Sequence, residues 1–267
     1  MTWSKPSRSI HRSGPECGGR REEGDVSTEH ALVSCIVPVH NGAVFIAEAL
    51  DSILSQAGAA LEIIVVDDGS TDGSAQIAAS FGGVRVHSRA QGGVAAARND
   101  GLALARGGYI AFLDADDLWL PGKLAMQMAA LEANADADYS LTLVRHVTTG
   151  PDGKIAEGAS APGAEDNRLG KLMQCLLARR RAFEAVGFFD TGTTTRADQD
   201  WFLRAEEKGL VGVVVNEVFT IRRIHGGNHS LRHADAVLDD FLSIAKRNLD
   251  RKRQAGVELK PVKSWSA

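Results

Sequence analysis

Short apolar runs recur through the first half of the chain, each closed by an acidic or glycine-rich segment and followed by a helical pattern. That alternation limits the possible folds more than any other feature. Leu32 to Val39, Leu61 to Val66, Val84 to His87 and Tyr109 to Leu113 read as strands. The second is a near-continuous Ile/Val run, the habit of strands covered on both faces. Val44 to Gln56, Asp72 to Phe81 and Val94 to Ala105 fill the gaps as helices, and in the first of them Phe45, Ala49, Leu50, Ile53 and Leu54 share a side. Strands alternating with helices over short connections predict right-handed βαβ units. The expected architecture is α/β and Rossmann-like, a mostly parallel central sheet flanked by helices.

Further along, a helix is expected from Pro121 to about Asn134 and a strand from Tyr139 to Val147. Residues 148–167, rich in Gly, Pro, Ala and Asp, read as a mobile loop. Helical stretches are expected near Leu169 to Leu177 and Arg180 to Val186, then a helix from Asp198 to Lys208, a strand from Leu210 to Val215 and a last helix around Ala234 to Asn248. This divides the chain into a disordered leader (1–30), a ligand-binding half (31–147), a half that completes the site (148–250) and a basic tail (251–267).

Composition narrows the function. The 267 residues can bury a core without staples, and 44% hydrophobic with 24% charged residues excludes wholesale disorder. No run approaches the ~18–20 apolar residues of a membrane span, and the leader lacks the apolar centre of a secretory signal. Cys17, Cys35 and Cys175 are odd in number and show no CxxC spacing, which indicates a reducing, cytoplasmic setting. Residues 31–244 hold 18 basic against 27 acidic side chains, so nucleic-acid binding is not expected. Residues 245–267 hold seven basic and two acidic ones. The run Arg251, Lys252 and Arg253 allows at most a peripheral contact with the inner face of a membrane, and its ordinary reading is a solvated end.

Ligands of parallel α/β sheets bind beyond the carboxyl ends of the strands. Here those ends read Pro38-Val39-His40-Asn41-Gly42, Asp67-Asp68-Gly69-Ser70-Thr71-Asp72 and Asp114-Ala115-Asp116-Asp117, with Gly92-Gly93 opening the third helix. Three acidic clusters at one sheet edge repel each other unless a cation or a hydrogen-bond network offsets the charge. Asp-x-Asp leaving a strand suits Mg²⁺ or Mn²⁺, hard cations that prefer oxygen and bridge to phosphates. Helix capping is the competing use of these carboxylates, and Asp117, closest to the helix, fits it. A tight turn is the competing use of Asp67 to Ser70.

In order, Val37 to Gly42, Glu48 to Gln56, Val66 to Ser74, Gly92 to Asn99 and Phe112 to Asp117 resemble the serial motifs of family 2 glycosyltransferases. The resemblance spans about residues 32–232. It implies a GT-A fold and a nucleotide-diphosphate-sugar donor, with 31–147 as the donor half and 148–250 as the acceptor and base half. It also implies that Pro38, Val39, Asn41, Asp67, Asp68, Arg98, Asp114 and Ala115 surround the nucleotide sugar. By the same token Asp68 contacts the base or sugar, and Asp116, with Asp114 and His225, holds the metal. Asp198, in Ala197-Asp198-Gln199-Asp200, matches the catalytic base, although Ala197 replaces the usual Glu; Asp200 is the fallback. Arg222-Arg223-Ile224-His225-Gly226-Gly227-Asn228-His229-Ser230 resembles the family's Arg-x-His segment.

The function so implied is inverting transfer of a sugar from UDP to an acceptor hydroxyl. The acceptor is a glycan, a lipid-linked molecule or another hydroxyl compound, in cell-surface polysaccharide or glycolipid synthesis. Two rivals are a non-catalytic nucleotide-sugar binder of the same fold and a phosphoryl-transfer protein, the latter lacking the expected Thr or Lys partners of its Asp. A zinc site at His225, His229 and His233 has helical spacing, but Gly226-Gly227 breaks the helix it needs. Trp119 and Trp201 either flank an acceptor sugar or serve as packing. The loop 148–167 is expected to act as a lid or as a plain connector.

Overall fold

The computed structural model describes residues 32–150, 152–155, 168–169, 171–193, 195–228 and 236–254. The leader, His229, His233, most of the 148–167 loop and the tail after 254 lie outside the described residues. The first half follows the alternation in the sequence: β1 (Leu32–Val39), α1 (Ile46–Leu54), β2 (Ala60–Asp67), α2 (Ser74–Ala79), β3 (Val84–Ser88), α3 (Val94–Leu104) and β4 (Tyr109–Phe112). Then come β5 (Leu118–Trp119), α4 (Lys123–Ala133), β6 (Tyr139–Thr148), β7 (Arg168–Leu169), a 3₁₀ turn (Met173–Cys175) and β8 (Leu176–Arg179). The described chain closes with α5 (Arg180–Val186), α6 (Ala197–Glu207), β9 (Gly212–Ile224) and α7 (Ala236–Gln254).

The sheet runs β3-β2-β1-β4-β8-β6-β9-β5, with β7 against β6. β3, β2, β1 and β4 are parallel, β8 lies antiparallel to both β4 and β6, and β9 runs parallel to β6. The expectation of a mostly parallel sheet therefore describes the first half, and the second is mixed. In place of the helix read near Leu169 to Leu177, the described residues there form the end of β7, the 3₁₀ turn and the start of β8. Their apolar run carries no period that separates a strand buried on both faces from a helix. β9 extends to Ile224, past Val215, because pairing with β6 carries it through polar positions, with a register shift near Leu143. α7 likewise continues to Gln254, through the start of the supposed tail.

Period-two alternation sends the apolar side chains of each strand to opposite faces. Val33, Cys35 and Val37 join Ile63 and Val65 beneath α1 and α4, while Ile36, Ile64, Ile110 and Phe112 meet α3, α5 and α6 on the other side. α3 lies so close to β1 that a Cβ on Gly101 would stand 2.3 Å from Ile36 Cγ2. Both tryptophans serve packing: Trp119 donates to Gln174 O (3.0 Å), and Trp201 is fully buried among Tyr139, Phe183 and Phe202.

Lys123 is fully buried, donating to Gln127 Oε1 (2.6 Å) with its ammonium 4.3 Å from the centroid of the Trp119 ring. Burial lowers its pKa from 10.5 to about 8. Below about pH 8 the folded chain carries the full cost of this buried charge. Between about 8 and 10.5 the unfolded chain holds a proton on this lysine that the folded chain has released, so the contribution of Lys123 to stability should rise with pH, by about 3 kcal/mol in all. Urea unfolding at points across this window should show the wild type gaining stability relative to Lys123→Met as pH rises, a comparison that removes the opposing contribution of the buried Cys35 and Cys175 thiols, whose pKa values burial raises in both proteins. The same slope in both proteins would overturn this assignment.

Candidate active site

The carboxyl ends of β1, β2 and β4 meet at one edge of the sheet, where side chains stitch the loops together. Asp67 Oδ1 accepts from Ser70 N (3.1 Å), forming a tight turn after β2. Asn41, with φ +53°, accepts at Oδ1 from Thr71 N (2.8 Å) and donates its own N–H to Ser70 Oγ (2.9 Å). Val39 O accepts from Asp68 N (2.8 Å), and Pro38 and Val39 are buried as strand walls. Asp68 is the most heavily engaged: Arg89 Nη1 (2.5 Å) and Gly92 N (2.9 Å) donate to Oδ1, and Gly93 N (2.7 Å) donates to Oδ2. Its carboxylate brackets the Gly92-Gly93 turn into α3, where Gly93 takes φ +87°. Arg89, which sequence reading passed over, also pairs with Asp100 (2.7 Å).

Beyond β4 the acidic run separates into three roles. Asp114 accepts from Arg98 Nη2 (2.8 Å). Ala115 is buried, its Cβ 3.5 Å from where a Cβ on Gly42 would stand, so the loops after β1 and β4 adjoin. Asp116 accepts at Oδ2 from Asn228 Nδ2 (2.9 Å) and lies 3.1 Å from His225 Nε2. Asp117 is not the helix cap expected from sequence, because α4 begins six residues later behind Gly122. β5 intervenes, and buried Asp117 instead accepts from Arg223 N (2.9 Å) and Gln174 Nε2 (2.8 Å).

Arg223 is the anchor of this loop. It is fully buried, donating from Nε to Asp116 O (2.5 Å) and from Nη1 to Glu48 Oε2 (2.5 Å), and its guanidinium carbon stands 4.8 Å from the Phe45 ring centroid. Phe45 stacks on His225 with centroids 4.4 Å apart. The described start of the 148–167 segment packs on the same ring: Thr149 bridges Ile155, and a Cβ on Gly153 would lie 2.8 Å from Phe45 Cε1. Gly227 N–H donates to His225 Nδ1 (3.1 Å), which specifies the tautomer with its proton on Nε2, facing Asp116. Metal ligation through Nε2 requires the other tautomer and release of Gly227 N–H.

Arg98 joins the two halves of the site. Only 3% exposed, it donates from Nη2 to Asp114 and from Nη1 to Asp198, whose Oδ2 accepts from Met173 N (3.0 Å). Asp198 is the second residue of α6, behind Arg196 as the cap, so it is not itself the N-cap. Asp200 turns inward and accepts from Arg204 Nε (2.8 Å). Burial depresses the Arg98 pKa, but Asp198 and Asp114 more than offset it and hold the guanidinium charged. Burial raises the Asp114 pKa, Arg98 opposes that, and Asp116 and Asp198 add to it. Asp117 is raised well above the usual range by burial and by Asp116 and Asp114.

Among the described residues no three Asp, Glu, His or Cys side chains stand preformed around a point that could hold an ion. The donor chemistry nonetheless fits one: the carboxylates of Asp114 and Asp116 crowd each other, and a hard divalent cation would relieve that repulsion.

The profile described as Glycosyl transferase family 2 matches residues 34–187, more than half the chain. The chain belongs to glycosyltransferase family 2. It is 30% identical over 230 residues to a chondroitin synthase of Pasteurella multocida (strain Pm70), covering 83% of this chain and 24% of that one. It is also 29% identical over 229 residues to a hyaluronan synthase of Pasteurella multocida, covering 83% and 23%. The chain thus spans about a quarter of the length of these relatives. Among solved structures, S. aureus TarS in complex with UDP-GlcNAc superposes with a TM-score of 0.61 at 20% identity, covering 74% of this chain and 60% of that one. The Pyrobaculum calidifontis mannosyltransferase PcManGT, in complex with GDP-Man and Mn²⁺, gives 0.58 at 23% identity, covering 80% and 64%. The fold of this glycosyltransferase is GT-A, a mixed α/β sheet with flanking helices.

In this family 2 member the structure brings Asp114, Asp198 and Arg98 into one ion-pair network, and Asp116, His225 and Asn228 into a hydrogen-bonded cluster. It spends the hydrogen-bonding capacity of Asp68 within the chain. Glu48, Arg223 and Asn228 lie within segments that carry the family resemblance and Phe45 on the apolar side of the first helix, but nothing local in the sequence joins them to Asp116 or to each other.

Proposed function

We propose that the chain transfers a sugar from UDP to an acceptor hydroxyl with inversion, Asp198 serving as the base. The observation that carries this reading is the Arg98 fork, which holds Asp198 beside Asp114 at the carboxyl edge of the sheet. Asp198 takes the proton of the acceptor hydroxyl as that oxygen bonds to the anomeric carbon, and the bond to the diphosphate breaks on the opposite face. A single displacement of this kind inverts the anomeric centre. Asn41, Asp67, Pro38 and Val39 line the end where the base and ribose would lie. Asp67 suits that contact better than Asp68, since it accepts one hydrogen bond within the chain against three.

Asp114 and Asp116, with His225 after its tautomer change, would hold Mn²⁺ or Mg²⁺, which when bound offsets the charge building on the departing diphosphate. The UDP-GlcNAc complex of TarS and the Mn²⁺ complex of PcManGT support the donor and metal by likeness of fold. The synthases named above support a glycan acceptor and polysaccharide synthesis. Cys35 and Cys175, both free and buried, suit a cytoplasmic setting. No helix among the described residues is long and apolar enough to cross a membrane.

Calorimetry with UDP and Mn²⁺ tests the donor half. Asp116→Ala should weaken UDP by roughly tenfold or more, the loss of a charged contact, and EDTA should weaken the wild type to the same level. Equal UDP affinity in wild type and variant with Mn²⁺ present would remove the metal from this reading.

A further inference from the structure

A groove of roughly 550 Å³ lies between α6 and α7. That volume falls within the ~300–1,000 Å³ usual for small-ligand sites. Phe202 and Leu203 of α6 and Phe241, Ile244 and Leu249 of α7 form its walls. Phe241 and Leu249 remain exposed, so the groove opens to solvent between apolar lips. The two helices are strapped together around it: Thr195 N and Oγ1 donate to Asp240 (2.6 and 2.8 Å), and Arg251 Nε donates to Glu207 (2.8 Å). The groove is therefore a shaped space between fixed walls.

Its polar groups come from the start of α6, from the segment before the 3₁₀ turn and from Asn248 of α7, which donates to Glu207. Arg196 lines the groove without an ion pair among the described residues, and its shielded Nε has no hydrogen-bond partner. Gln199 Oε1 is shielded and unpartnered in the same way. Lys171, also lining the groove, pairs with Glu206. Shielded polar atoms cost stability until something satisfies them, and a guanidinium fork satisfies a phosphate best. Apolar walls with an unspent cation suit an alkyl chain carrying an anionic head. Arg196 and Gln199 flank Asp198 in the chain, so the polar end of the groove shares the start of α6 with the proposed base.

We propose that the groove between α6 and α7 holds the hydrocarbon chain of an acceptor carried on a lipid phosphate, with the phosphate on Arg196. This rests on the acceptor half of the reading above and names its substrate class.

Dodecyl phosphate below its micelle concentration is the probe, titrated into the full chain by calorimetry. Saturable binding is expected, tightening about fourfold for each methylene added from decyl to dodecyl phosphate, with none for inorganic phosphate. Arg196→Gln should weaken dodecyl phosphate by roughly tenfold while leaving dodecanol unchanged. Ala245→Trp, which fills the groove, should abolish both. UDP affinity should be unaltered in the two variants, reporting an intact fold. The proposal is overturned by absent or non-saturable binding, by equal affinity in Arg196→Gln, or by unchanged binding in Ala245→Trp. Self-association of the chain through α7, or equal competition by phosphatidylglycerol vesicles, would also overturn it by giving the groove another occupant. Transfer to a soluble glycan without dodecyl phosphate binding defeats the groove alone. Dodecyl phosphate binding without transfer from any donor defeats the transferase reading alone.

Discussion

Asp198→Asn should lower sugar transfer by about 10²–10⁴-fold, the usual worth of a general base, while UDP affinity stays near wild type. The amide preserves the shape of the side chain and cannot take the acceptor proton. Its NH₂ must face either Arg98 or Met173 N–H, both of which donate to the carboxylate in the wild type, so one of these two bonds is lost. Thermal unfolding and UDP binding measured on the same preparation separate that structural cost from the lost chemistry. Turnover within a few-fold of wild type would place the base elsewhere. Asp200 is a poor heir, being buried and occupied by Arg204.

Arg98→Met should destabilise the fold by about 3–5 kcal/mol, the typical cost of removing one partner from a buried ion pair. Arg98 serves two carboxylates, and without it Asp114 and Asp198 lose the cation that pairs with both while still repelling each other and Asp116. Arg98→Lys should fall between, since an ammonium is a point charge that cannot reproduce the fork. Urea unfolding measures both. Mn²⁺ should stabilise Arg98→Met more than the wild type, because it supplies part of the missing charge. A loss below about 1 kcal/mol would mean that water solvates the two carboxylates as well as Arg98 does.

Much of the first half, to β4, was readable because its signals are local. Leu32 to Val39 and Leu61 to Val66 are apolar on both faces, so each announces a covered strand whatever surrounds it. The turn chemistry of Asp67-Asp68-Gly69-Ser70 and the Gly92-Gly93 start of α3 likewise depend on neighbours in the chain. Asp117 was misread because a carboxylate before a helix looks the same whether it caps that helix or meets a strand more than a hundred residues away. Residues 169–177 were misread for a related reason, since β8 exists only because β4 and β6 are there to pair with it.

The sequence by itself determined the parallel strand and helix order to β4, the placing of acidic segments at strand ends, and the resemblance to its family. These rest on period, turn propensity and short motifs, all encoded within a few residues. Only the tertiary structure decided that one arginine should join Asp114 and Asp198, that Asp68 should clamp a glycine turn, and that Arg223 should tie the acidic loop to α1. Each of these bonds closes a long loop, and nothing near it in sequence favours it. Such contacts form once α3 and α6 pack on one face of the sheet and α1 on the other. Burial then makes an unpaired charge too costly to leave, so distant carboxylates and guanidinium groups must find each other.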